Sequence, residues 1–249
     1  MLDLLVRLDI TFVVWIACFC AVTLSAGIQR LSGQAFGIVA APLIALVAPQ
    51  FLPAGLLLLG ITVGLTSTAV DFSALTRAEI IPGFFGRALG AMIAAMIAAS
   101  ITNVDLIAGL TGAAVLFGII ISLSGLRIAI QPFSLTIAGI AAGLMGTITA
   151  VGAPPMALLY QYEPAKRARA MQNAFFFWGM CVSVLALAWQ GLITIKHMIF
   201  AGSLLPAIAL GLAVSMPIAK QLERQTIRPY ALGLSMVAAT TLIAQLVFA

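Results

Sequence analysis

Gly143-Leu-Met-Gly146-Thr147-Ile-Thr149-Ala-Val-Gly152-Ala-Pro154-Pro155-Met-Ala-Leu-Leu-Tyr160 interrupts a chain otherwise built for lipid. Glycine and proline weaken or end helices. In hydrocarbon the freed backbone N–H and C=O groups find no water. Such a break survives only where protein covers it or where it lines a wet cavity. Ser32, Gly33, Gln34, Gly37 and Pro42 make a second interruption earlier in the chain. Two interrupted apolar segments, one in each half, are the best sequence pointer to a transporter's binding site.

The surroundings are strongly apolar. Of the 249 residues 63% are hydrophobic and 8% charged, with a mean hydropathy of +1.20. Soluble domains carry about 25% charged residues, so the chain reads as an integral membrane protein with no soluble domain. Apolar segments lie at about 10–28, 33–48, 51–70, 81–101, 104–124, 133–150, 152–161, 170–190, 198–218 and 229–248. Crossing a ~30 Å hydrocarbon core takes roughly 20 helical residues. The run 152–161 would be only about 15 Å long as a helix, and 33–48 is marginal. The expected fold is therefore an all-α polytopic membrane protein with about 8–10 membrane segments, including an interrupted helix pair in each half.

Ile10 to Leu24, preceded by Arg7, resembles a signal peptide, but residues 26–42 just beyond it belong to the repeated motif, so it is read as retained. Cys18, Cys20 and Cys181 all lie in apolar segments and read as structural. Cys18 and Cys20 are two apart and point to different helix faces, which makes a poor metal or disulfide pair.

The halves match at an offset of about 113 residues: Gly33 falls on Gly146, Pro42 on Pro155 and Leu31 on Leu144. Each half then reads as an interrupted pair followed by three long spans. Five segments per half is an odd number, so the second half must sit upside down relative to the first. We expect two inverted repeats, residues 1–125 and 126–249, within one membrane domain. Charge supplies an independent test. Arg77, Arg127, the cluster Lys166, Arg167 and Arg169, and the cluster Lys220, Arg224 and Arg228 all fall on one side, with Arg7 and Lys196 on the other. The positive-inside rule makes the richer side cytoplasmic and puts both termini outside. The net charge of +5 is thereby a topology signal, not a nucleic-acid footprint. Each interrupted pair either spans twice or forms a re-entrant hairpin; both return the chain to its starting side.

Enzyme signatures are absent. His197 is the single histidine, so no histidine-pair metal site can be built, and there is no nucleophile elbow or phosphate loop. The acids, Glu79 and Glu163 among them, lie at segment ends and read as solvated loop charges. The uncharged polar set is more telling. Gln29, Ser32 and Gln34 flank the first break, and Thr147 and Thr149 the second. Helix starts after such breaks favour anions, and Ser, Thr and Gln add donors without the cost of a buried charge. Close packing through small residues is the competing reading for any one of them. Arg30 either binds an anion or snorkels to the cytoplasmic surface. Arg87, about six residues into segment 81–101, still reaches the interface on this reading, with a lining role as the alternative. Gln172 and Asn173 carry the same ambiguity.

At these residues the chain resembles the sulfite exporter TauE/SafE family, whose glycine-rich motif ends in proline and an apolar run once per half. The copies are Gly33-Gln-Ala-Phe-Gly37-Ile-Val-Ala-Ala-Pro42-Leu-Ile and Gly146-Thr-Ile-Thr149-Ala-Val-Gly152-Ala-Pro154-Pro155-Met, and Arg167-Ala-Arg-Ala-Met-Gln-Asn173 resembles the family's basic helix entry. Ala35, Phe36 and Ala153 depart from the usual glycines and narrow the approach to the backbone. The resemblance implies transport, often outward, of sulfite, organosulfonates or related small organic acids across the cell (inner) membrane. The expectation is thus a secondary transporter of a small anion working by alternating access. A passive anion channel is the alternative, and a membrane-embedded enzyme or assembly factor is a more distant one. The candidate binding residues are Gln29, Arg30, Ser32, Gly33, Gln34, Gly37, Pro42, Gly146, Thr147, Thr149, Gly152, Pro154, Pro155 and Asn173. No cofactor or nucleic acid is implied. The lipid bilayer is the surrounding partner, while a coupling proton or other ion and a homo-oligomer are left open.

Overall fold

The computed structural model describes residues 2–33, 35–70, 72–101, 103–219 and 224–248. Its helices are α1 (Leu2–Leu8), α2 (Phe12–Ser32), α3 (Ala35–Val47), α4 (Ala54–Val70), α5 (Arg77–Ala98), α6 (Val104–Leu123), α7 (Pro132–Thr149), α8 (Pro154–Leu159), α9 (Ala165–Trp189), α10 (Ile195–Ser203), α11 (Leu205–Ala219) and α12 (Arg224–Phe248). Among the described residues there is no strand. Six stretches are long and apolar enough to cross a membrane: α2, α5, α6, α7, α9 and the α10–α11 run Ile195–Pro217. Two apolar helices are shorter, Ala35–Val47 and Ala54–Val70, and the stretch Leu232–Phe248 of α12 is also apolar.

Every expected apolar segment lies on a helix, with differences at the edges. Helix α1 was not expected, since its charged residues hide a short turn of chain that buries Leu5 and Leu8. Helices α5 and α9 begin about four or five residues earlier than hydropathy places them. Arg, Lys and Ala are good helix formers whether or not they are apolar, so the helix outruns the hydrophobic stretch. The chain also breaks at Leu204, which separates α10 from α11.

Helix pairing follows glycine. A Cβ on Gly86 would overlap the Thr136 carbonyl oxygen, and one on Gly90 the Ile140 carbonyl oxygen. From the other side, a Cβ on Gly139 would lie 2.5 Å from the Gly83 oxygen, and one on Gly143 2.6 Å from the Arg87 oxygen. Helices α5 and α7 therefore run parallel with backbones touching, two Gly-x-x-x-Gly faces against each other. Gly211 of α11 meets the Thr23 oxygen of α2 in the same parallel manner, with Gly27 next to it. Helix α4 packs antiparallel on α9, where Gly60 meets Met180 and Gly64 meets Phe177. Helix α12 packs antiparallel on α6, where Gly112 meets Ile243 and Gly109 meets Leu246.

The loops sort into two ends. At one, Arg167 pairs with both Glu79 and Glu163, and the Tyr160 hydroxyl donates to Glu79 Oε2 at 2.8 Å. Glu79 is only 15% exposed in its side chain, so it is a half-buried, paired acid and not the solvated loop charge its position suggests. The Arg127 guanidinium sits 4.5 Å from the Tyr162 ring centre at this end. At the other ends of α4 and α9, Asp9, Gln50, Lys196 and His197 line one recess.

Candidate functional site

Both breaks end their helix in a left-handed residue. Helix α2 stops at Gly33, with φ +82°, whose N–H donates to the Gln29 carbonyl at 2.7 Å. Helix α7 stops at Ala150, with φ +61°; alanine there is uncommon and strained. The breaks meet: a Cβ on Gly37, early in α3, would overlap the Ala150 carbonyl oxygen. Glycine at 37 is thus explained by the other motif pressing on it.

The neutral polar residues split into two groups. Gln29, Asn173 and the first break form one connected set. Gln29 Nε2 donates to Asn173 Oδ1 at 3.0 Å, the Phe36 N–H donates to Gln29 Oε1 at 2.9 Å, and Asn173 Nδ2 reaches the Ser67 carbonyl at 3.5 Å. Gln29 and Asn173 are fully buried. Here one backbone donor of the α3 start is taken by a side chain of the same chain. Around the second break, Thr147 shares a 2.7 Å hydrogen bond with Ser183 of α9. The Thr149 hydroxyl donates to the Met145 carbonyl at 2.7 Å and accepts the Val151 N–H at 3.2 Å. Thr149 therefore closes the break locally.

The remaining candidates are placed as follows. Ser32 and Pro42 are buried on α2 and α3, and the Ser32 hydroxyl bonds back to the Ile28 carbonyl. Arg30 is half-buried near the end of α2. Gly33 faces Arg169, whose Cα would be 3.1 Å from an added Cβ. Pro154 and Pro155 are buried at the start of α8, a helix about 9 Å long. Pro154 packs on Gly118, and with Ser32 and Ala35 it lines a cavity of about 40 Å³ between the two motifs. Gln34 lies outside the described residues. Among the described residues no group of three or more His, Cys, Asp or Glu comes together.

One residue stands apart from the expected set. Arg87 is 3% exposed. With α5 beginning at Arg77, it sits about 15 Å into the helix, near the middle of a 22-residue apolar span. Its guanidinium is packed among three glycines. A Cβ on Gly146 would lie 2.5 Å from Nη2, one on Gly179 would overlap Nε, and one on Gly152 would overlap Nη1. Gly146 and Gly152 are thus glycine because an arginine fills the space beside them. Hydropathy hid this by starting the segment at 81. The signal that would have found it is the pair Gly86-x-x-x-Gly90 and Gly139-x-x-x-Gly143, which turns Arg87 inward toward α7.

The family described as sulfite exporter TauE/SafE matches residues 18–242. No curated protein and no solved structure gives a match.

Proposed function

The chain belongs to the sulfite exporter TauE/SafE family of membrane transporters, and from that premise we propose that it carries a small anion outward by alternating access around the junction of its two breaks. The observation that carries the reading is the meeting of Gly37 with Ala150, which joins the two glycine–proline motifs in the interior. Irregular backbone at depth is costly unless it serves a cavity or is sealed by protein, and paired discontinuous helices are the usual transporter solution. The substrate class is sulfite, an organosulfonate or a related small organic acid. The candidate residues of the two motifs, with Asn173, form its site.

Two inverted repeats, 1–125 and 126–249, accord with the packing. Exchanging the halves turns the parallel pair α5–α7 into the parallel pair α11–α2. It maps the antiparallel pairs α4–α9 and α6–α12 onto themselves, as a two-fold axis in the membrane plane requires. The sidedness also has support. Residues from three of the basic loops, Glu79, Arg127 and Arg167, gather at one end with their partners, and that end is read as cytoplasmic. Cysteines placed beside Arg77 and Arg127, after replacement of the native three, should resist an impermeant thiol reagent in intact cells and react after lysis. Labelling before lysis would reverse the orientation.

The transport reading is tested in proteoliposomes loaded with sulfite or methanesulfonate. Saturable uptake accelerated by the same anion inside the vesicle identifies a carrier. Conductance without counterflow would make it a channel, and no flux of any small anion would remove the reading.

A further inference from the structure

Arg87 is a charge without a visible counterpart. Its Nε and Nη1 are buried and make no hydrogen bond, and neither ion pair among the described residues includes it. A guanidinium has five donors and cannot shed its charge. Buried charges are ordinarily paired, because an unpaired one is among the most expensive groups to hold away from water. In a membrane interior such groups mark ion or substrate pathways. A purely structural arginine at a helix junction would spend its donors on carbonyl oxygens, as Trp178 Nε1 does on the Phe84 carbonyl at 3.0 Å nearby.

The surroundings are shaped for something more than a side chain. Three glycines from α7, the second break and α9 bare their backbone around the guanidinium. Beside it is a cavity of about 20 Å³, lined by Arg87, Gly152, Met156, Gln172, Phe175 and Met180. That volume admits about one water-sized group. Two of its walls are methionines, which repack readily. Phe176, on the same cavity, stands edge-on to Phe36 of the first motif with ring centres 6.0 Å apart. The arginine pocket and the first break therefore share a wall.

We propose that Arg87 is the counter-charge that receives the transported oxyanion from the cavity beside its guanidinium, with Gly146, Gly152 and Gly179 seating the guanidinium there. The assignment rests on the transport reading above and names its charged contact. It gives the unpartnered Nε and Nη1 donors a partner for part of the cycle. Planar guanidinium donors suit the oxygens of sulfite, a sulfonate or a carboxylate equally.

The test uses the full chain purified in detergent at neutral pH, with sulfite and methanesulfonate as probes and dimethyl sulfone as the uncharged analogue. The wild type should be thermally stabilised by both anions and not by the sulfone. Arg87→Met should weaken anion affinity between about 10- and 150-fold, the range for losing a hydrogen bond to a charged group. Its melting temperature without anion should be equal to or above that of the wild type, because a buried unpaired charge has gone. A structural arginine predicts the opposite, a lower melting temperature. Arg87→Lys should recover part of the affinity, since the charge returns. Gly179→Ala supplies a second route that keeps the arginine: the three nearest atoms to its added Cβ all belong to Arg87, so it should weaken binding at least about tenfold in a folded protein. Wild-type affinity in folded Arg87→Met or Gly179→Ala overturns the assignment while leaving transport intact. Absence of any anion response or flux in the wild type would remove the transport reading, and the assignment with it.

Discussion

Gly37→Leu is expected to abolish transport while the protein still inserts and purifies as a folded species. The added carbon would occupy the position of the Ala150 carbonyl oxygen, which belongs to the backbone of a left-handed residue and cannot rotate aside. The two breaks must then move apart. Overpacking of this kind costs about 3 kcal/mol, and if that cost falls on the step that rearranges the junction, the rate drops roughly a hundredfold. The measurement is counterflow in proteoliposomes, with Gly202→Leu as control, because nothing lies within 4 Å of a Cβ there. Wild-type flux in Gly37→Leu would show that the meeting of the breaks is incidental to transport.

Gly90→Leu should have the larger effect on the protein itself. In lipid, helices gain nothing from hiding apolar surface from one another, so they associate by close packing. Helices α5 and α7 achieve this with four glycines, and a Cβ at 90 would overlap the Ile140 oxygen and lie 2.9 Å from its carbonyl carbon. All three nearest neighbours are backbone. We expect loss of the monodisperse peak on size-exclusion chromatography and little recoverable protein. Recovery of Gly90→Leu with an unchanged melting temperature would mean the helices are held together by something else.

Much of this is legible in the amino-acid sequence. Apolar run lengths locate the helices, because lipid imposes both composition and length on them. The breaks at Gly33 and after Thr149 follow from glycine and proline where hydrocarbon tolerates neither without cover. What each glycine was for could not be read. Gly37 accommodates a carbonyl, Gly33 adopts a positive φ against Arg169, and Gly146 and Gly152 accommodate a guanidinium. The letter is the same, but its meaning depends on a neighbour far away in sequence. Arg87 was obscured for a related reason. Hydropathy reports where apolar residues begin, whereas α5 begins at a charged one. The extra turn moves Arg87 from near the end of the span to its middle. Thr149 is a candidate ligand donor by its place in the motif; which partners its hydroxyl has, the Met145 carbonyl and the Val151 N–H, only the fold shows.

The unpaired guanidinium has an electrical consequence. With Arg87 as counter-charge, a site holding a monovalent anion is neutral, while the empty site carries one positive charge. Membrane voltage then does no work on the loaded form and acts on the empty one. A charge moved through the whole field gains about 2.3 kcal/mol per 100 mV. In a cell that is negative inside, the empty site is drawn toward the cytoplasm, where it collects an anion, becomes neutral, and turns outward without opposition. The resting potential alone would thus bias the cycle toward efflux, with no second ion required. The same vesicle assay, run with potassium diffusion potentials of either sign, reads that bias directly: an inside-negative potential should speed efflux, and flux indifferent to voltage would contradict it.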